Sequence, residues 1–195
     1  GLTSGPDPSK ELAARFRDSD IREAMLAYVK GDVPTAKRKL QSARNGRDGT
    51  TAEELLENVS IVDGRFALGT AAMRKDDVKG AREAFEEALA SDAKMLPPTV
   101  ESTLARQMKG QLAEALAKQG DDALARNDHD GAFTAYSAGY TYSRTQTSVN
   151  DGLSKLEKVA EGILSSGPDC EGIRKALRIT LANPSSTMHT RADEA

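Results

Sequence analysis

Apolar residues recur along this chain at three- and four-residue intervals, and short polar turns break the helical period. Leu12, Ala13, Phe16, Ile21, Met25 and Tyr28 trace a first helical face, with Ser9 placed to cap it and an interruption expected near Asp18-Ser19-Asp20. Gly31 ends that segment, because glycine enters the left-handed region cheaply. Asp32 then caps a second helix, with Pro34 in its first turn, that runs to about Arg44. After Asn45-Gly46-Arg47-Asp48-Gly49, Thr50 or Thr51 opens a long helix, and Thr51 with Glu54 has capping-box spacing. Leu55, Leu56, Val59, Val62, Phe66, Leu68 and Met73 give it a broad apolar face despite Gly64 and Gly69. Asp77 caps the next helix, which carries Val78, Ala81, Phe85, Ala88 and Leu89 and stops before Pro97-Pro98. Another begins near Thr99 and runs through Leu104, Met108, Leu112, Leu116 and Leu124, and its partner follows Asp128 through Phe133, Tyr136 and Tyr140. Two more are expected at about Ser148 to Leu164 and Pro168 to Leu181, the latter closed by Asn183-Pro184. No stretch alternates with period two, so no sheet is predicted.

One arrangement repeats within this pattern. Asp32 precedes Ala36, Leu40 and Ala43 by the same spacing with which Asp77 precedes Ala81, Phe85 and Ala88. Asp128 stands likewise before Ala132, Tyr136 and Gly139, and a weaker copy puts Asp169 before Ile173, Leu177 and Thr180. Such repetition points to stacked helical hairpins, because each unit buries its apolar face only against its neighbours. The expected fold is all-α, of about seven to nine helices in antiparallel pairs.

The small, large, small spacing behind a polar turn resembles the second helix of a tetratricopeptide repeat. The stretch from Asp76 to Ala93 carries the resemblance best, and Leu68-Gly69 fall where the family's first helix has a large residue followed by a small one. Ala36 to Ala81 spans 45 residues (81 − 36) and Ala81 to Ala132 spans 51 (132 − 81). Both exceed the family's unit of about 34, and the extra length is assigned to the first helices and the loops before them. The resemblance implies an elongated α-solenoid whose first helices line a groove for a peptide or another protein. One version of the family holds a C-terminal carboxylate between Lys, Arg and Asn side chains on three successive first helices. The corresponding positions here are Asp18, Arg22, Ala67, Glu114 and Lys118, a set whose two acids repel that ligand.

Composition narrows the classes of function. Hydrophobic residues make up 38% and charged residues 29%, too apolar for a disordered chain. The net charge of −3 is small, and no basic stripe is gathered for phosphate contacts, so no nucleic-acid partner is expected. The sequence contains no apolar run of bilayer length, so no direct membrane insertion is expected, and a cytoplasmic setting is favoured with the periplasm left open. Residues 1–9 read as a linker, 10–184 as the helical domain and 185–195 as the start of another helix, as if the chain were cut from a longer protein.

Candidate chemistry is sparse. Asn127-Asp128-His129-Asp130 gathers carboxylates around an imidazole, but adjacent turn residues diverge, and a capped helix start explains them. Cys170, alone in the chain, excludes an internal disulfide framework and sits at a predicted helix start, where its reactivity stays open. His189 has no recognisable nucleophile beside it. No catalytic, metal-binding or cofactor-binding residue is assigned, and no cofactor is expected. The residues singled out for partner binding are Asn58, Arg65, Arg74, Arg106 and Lys109 on the first helices, with Tyr140 and Tyr142 from the cluster Phe133, Tyr136, Tyr140 and Tyr142. That cluster also reads as core packing. The expected function is a noncatalytic protein–protein interaction scaffold, part of a larger bacterial regulatory or assembly protein. The alternative is a regulatory helical domain attached to a signalling enzyme such as a kinase.

Overall fold

A computed structural model describes residues 7–166, 171–174 and 176. Eight helices run in order: α1 (Pro8–Arg15), α2 (Ser19–Val29), α3 (Val33–Ala43), α4 (Gly49–Arg74), α5 (Val78–Met95), α6 (Thr103–Ala125), α7 (His129–Tyr142) and α8 (Thr147–Ser165). Residues 171–174 and 176 are helical as well, and the described residues include no strand. The fold is all-α, built of stacked antiparallel helical hairpins. Asp169, Cys170, His189 and the segment 185–195 lie outside the described residues.

The repeated turn is the same object three times over. Lys30-Gly31-Asp32, Lys75-Asp76-Asp77 and Arg126-Asn127-Asp128 each join a helix to its antiparallel successor. The middle residue is left-handed in every copy: Gly31 at φ 87°, Asp76 at 60° and Asn127 at 57°. The following Asp N–H reaches back five residues to a carbonyl, Asp32 to Ala27 at 2.9 Å, Asp77 to Ala72 at 3.0 Å and Asp128 to Ala123 at 2.9 Å. These bonds close the outgoing helix in a Schellman motif. The same Asp then caps the incoming helix, its carboxylate accepting from Thr35, Gly80 or Gly131 N–H. A basic residue opens each turn, where its charge complements the helix C-terminus.

Behind each turn, all nine residues of the spacing are buried: Ala36, Leu40 and Ala43; Ala81, Phe85 and Ala88; Ala132, Tyr136 and Gly139. Sixteen residues before each large member stands a small buried one, Ala24 before Leu40, Gly69 before Phe85 and Gly120 before Tyr136. A methyl group at Gly69 would overlap the Phe85 ring, and one at Gly120 would lie 2.5 Å from Tyr136 Cε1. The aromatic copies therefore need glycine opposite them, and the leucine copy has alanine at the same register. Such interdigitation is how close-packed helices approach.

Boundaries differ from expectation at four places. Asp7 caps α1, accepting from Ser9 N–H at 3.0 Å, so Ser9 lies inside the helix. Asp18 caps α2 and makes the expected interruption a true break. Helix α4 starts at Gly49 with no side-chain cap, and Thr51 is already helical, so the Thr51–Glu54 box does not form. Helix α6 starts at Thr103 rather than near Thr99: Val100 N–H turns back onto Pro97, and Ser102 Oγ accepts from Ala105 N–H at 3.0 Å as the cap. The extra repeat length also lies in a second helix, since α5 has 18 residues where α3 has 11. The longer end of α5 is retained because Ser91, Asp92 and Met95 are buried.

The chain divides into two compact units, Gly1–Met108 and Lys109–Ala195, and the division falls within α6. In the first, α2 packs on α3, α3 on α4 and α4 on α5. In the second, Tyr136, Val149, Leu153, Leu156 and Ala160 centre the core, with Phe133, Tyr140 and Tyr142 partly buried against it. None of the described helices is long and apolar enough to cross a membrane.

Candidate docking face on helix α4

Polar side chains in the interior are used to join helices. In the first unit, Tyr28 from α2 and Ser102 before α6 both donate to Asp92 Oδ1 of α5, each at 2.6 Å. All three residues are buried. Burial, with the Asp92 charge beside it, pushes the Tyr28 phenol far above its ordinary range. In the second unit, Tyr136 on α7 donates to Asp121 Oδ1 of α6 at 2.9 Å, and Lys155 on α8 donates to the same oxygen at 2.6 Å. The Lys155 hydrogen bond holds Asp121 below the usual carboxylate range, while burial and Asp121 together raise the Tyr136 phenol. Glu114 of α6 accepts from Gln146 and Ser148 at the start of α8. None of these clusters was legible in the sequence, because Tyr28, Asp92 and Ser102 are brought together only by tertiary packing.

The outward side of α4 is built differently. Its buried side comprises Ala52, Leu55, Val59, Val62 and Gly69. Its exposed side, read at three- and four-residue steps, runs Glu53, Glu57, Ser60 with Ile61, Gly64, Ala67 with Leu68, Ala71 and Lys75, and every one of these is solvent-exposed. Ile61 is 39% exposed and Leu68 57%, and no other large hydrophobic among the described residues is exposed. Leu68 therefore does not join the core face the sequence assigns to it. The helix is apolar on two sides, and seven-residue spacing of Ile61 and Leu68 was the available signal.

Ion pairs border this side. Lys37 of α3 pairs with Asp63 at 2.6 Å, and Arg65 pairs with Glu87 of α5 at 2.6 Å. Between α4 and α5 lies a shallow groove of about 520 Å³ lined by Ile61, Gly64, Arg65, Leu68, Ala90 and Lys94 among others. Surface pairs such as these contribute little to stability. Their geometric effect is to hold the flanks while the centre stays apolar.

Comparison with known proteins finds no matching family model, curated protein or solved structure.

Of the residues singled out by sequence, Arg65 and Arg74 flank the exposed side of α4. Asn58 turns its amide onto Glu54 O of its own helix at 2.8 Å. Arg106 pairs with Glu101 at 3.3 Å, and Lys109 is half-buried on α6. Tyr140 and Tyr142 are half-buried, and the Arg144 guanidinium stands 6.0 Å from the Tyr140 ring centre. The structure thus gathers Arg65 and Arg74 along one helix and leaves Asn58, Arg106, Tyr140 and Tyr142 engaged locally. Of the carboxylate-clamp positions, Asp18 is engaged as the α2 cap and Glu114 by α8. Among the described residues no three His, Cys, Asp or Glu gather closely enough to hold a metal ion.

Proposed function

We propose that this chain is a noncatalytic protein–protein interaction module and that the exposed side of α4 is its docking surface. The observation that carries the reading is Ile61 and Leu68 standing in solvent on a helix whose other side is fully packed. With Ile61 39% and Leu68 57% exposed, each forgoes roughly half of the 1.5–3 kcal/mol that full burial of such a side chain contributes, and aligned exposed apolar residues mark interaction sites on folded proteins. The groove beside them accommodates an anchoring side chain, and the bordering ion pairs supply a polar rim. The polar clusters of the interior support the noncatalytic part of the reading, since Asp92, Asp121 and Glu114 are each engaged in joining helices. The recurring turn and the small–large packing support a tetratricopeptide-like scaffold as the frame for this surface.

A photo-crosslinking amino acid in place of Leu68, with a second version at exposed Glu83 of α5 as control, tests the docking surface in cells expressing the chain. A discrete protein adduct from position 68, absent from position 83, is expected. Equal or no labelling from both positions would overturn the reading.

A further inference from the structure

The exposed side of α4 is acidic at one end, apolar in the middle and basic at the other. Glu53 and Glu57 occupy its first turns, and Arg74 and Lys75 close it. Gly64 stands midway between Glu53 and Lys75, eleven residues from each, and a methyl group there would meet nothing within 4 Å. Resting on the docking reading above, we propose that the partner seated on this face is a second copy of this chain, with the two α4 helices antiparallel and crossing at Gly64.

Two features select a second copy. The first is charge: a strip acidic at one end and basic at the other repels a parallel copy and attracts an antiparallel one. Reversal about Gly64 sets Lys75 of each chain opposite Glu53 of the other and one turn, about 6 Å along the axis, from the other's Glu57. Glu53 already pairs with Arg44 at 2.6 Å, whereas Glu57, Arg74 and Lys75 make no ion pair within the chain among the described residues, so Glu57 is the acid available to the partner's Lys75. The second is register. Ile61 lies three residues before the crossing and Leu68 four after it, so reversal about Gly64 sets Ile61 of one chain against Leu68 of the other, twice. Such an isologous contact is self-complementary and closed. Glycine at the crossing lets the helices approach closely.

The strip from Glu53 to Lys75 is about 33 Å long at 1.5 Å per residue and one helix wide. That is small beside the roughly 800 Å² per partner of a standard stable interface, so association is weak and concentration-dependent.

Sedimentation of the whole chain over a concentration series tests this. The wild type shifts from monomer to dimer as concentration rises, and Leu68→Glu raises the dissociation constant at least tenfold with unchanged melting temperature. Glu57→Lys and Lys75→Glu each weaken association alone, whereas a one-to-one mixture of the two variants restores it, because each mixed contact then pairs opposite charges. A monomer at every concentration, a dimer indifferent to Leu68→Glu, or a mixture no tighter than its components overturns the proposal. If the chain stays monomeric while the crosslinker at position 68 labels a different protein, the second copy is excluded and the docking reading stands. If that label is also absent, both fall.

Discussion

Gly152 and Gly162 lie on the same helix, α8, yet a methyl group added at each meets opposite surroundings. At Gly152 it would overlap the buried Tyr136 ring, whereas at Gly162 it meets nothing within 4 Å. Helix propensity favours alanine over glycine at both by about 0.5–1 kcal/mol, so packing decides the sign. Gly162→Ala should raise stability by that amount, and Gly152→Ala should lower it by about 1–3 kcal/mol through overpacking, both read by denaturant unfolding. In the first unit, Gly69→Ala should be similarly harmful, and adding Phe85→Leu should recover part of the loss, since Ala24 and Leu40 hold that register in the first hairpin. Two buried phenols set a pH limit. Burial and a neighbouring carboxylate keep Tyr28 and Tyr136 protonated in the folded chain, whereas in the unfolded chain they ionise near the ordinary value of 10.0. Their contribution is whole below about pH 10 and declines as pH rises above it, by up to about 1.4 kcal/mol per pH unit for Tyr28 and by less for Tyr136, whose hydroxyl bonds the exposed Asp121. Unfolding followed from about pH 9 to 12 should show this decline, and Tyr28→Phe should flatten it in part. At this scale the sequence was least legible: it marks Tyr136 as a large helical residue but gives no sign of Asp121, Lys155 or Gly152 around it.

Helices and turns were far more legible, because capping residues and apolar periods are local signals. Asp32, Asp77 and Asp128 act as the caps their spacing predicts, and α3, α7 and α8 lie within a few residues of their expected bounds. Boundaries slipped where a tertiary partner outweighs a local motif. Ser102 is fixed as the α6 cap partly because its hydroxyl also bonds Asp92 of α5, so Thr99 does not start the helix. Asp77→Ala removes only a cap and should cost about 1 kcal/mol. Ser102→Ala should cost more, because it removes the cap and takes one of two donors from a buried carboxylate. Asn127→Gly should stabilise by a few tenths of a kcal/mol, since glycine meets less strain at φ 57°. Thermal or denaturant unfolding of the three variants side by side checks the order.

For the molecule as a whole, the fold class followed from repetition, and the place of the docking face did not. Helix α4 bears apolar residues on two sides, and a sequence read for one core face absorbs Leu68 into it. Only burial separates Val59 and Val62, fully covered, from Ile61 and Leu68. Charged residues drew attention to Arg65 and Arg74, yet these border the face whose centre is aliphatic. Self-docking requires that centre to be a contact surface. Methyl NMR of the whole chain, recorded from about 10 µM to about 1 mM to cover weak association, reads it directly. The Ile61 and Leu68 methyl signals should move or broaden with concentration while that of buried Ile21 stays fixed. Ile61 and Leu68 signals that stay as constant as that of Ile21 over the whole range would contradict self-docking through this face.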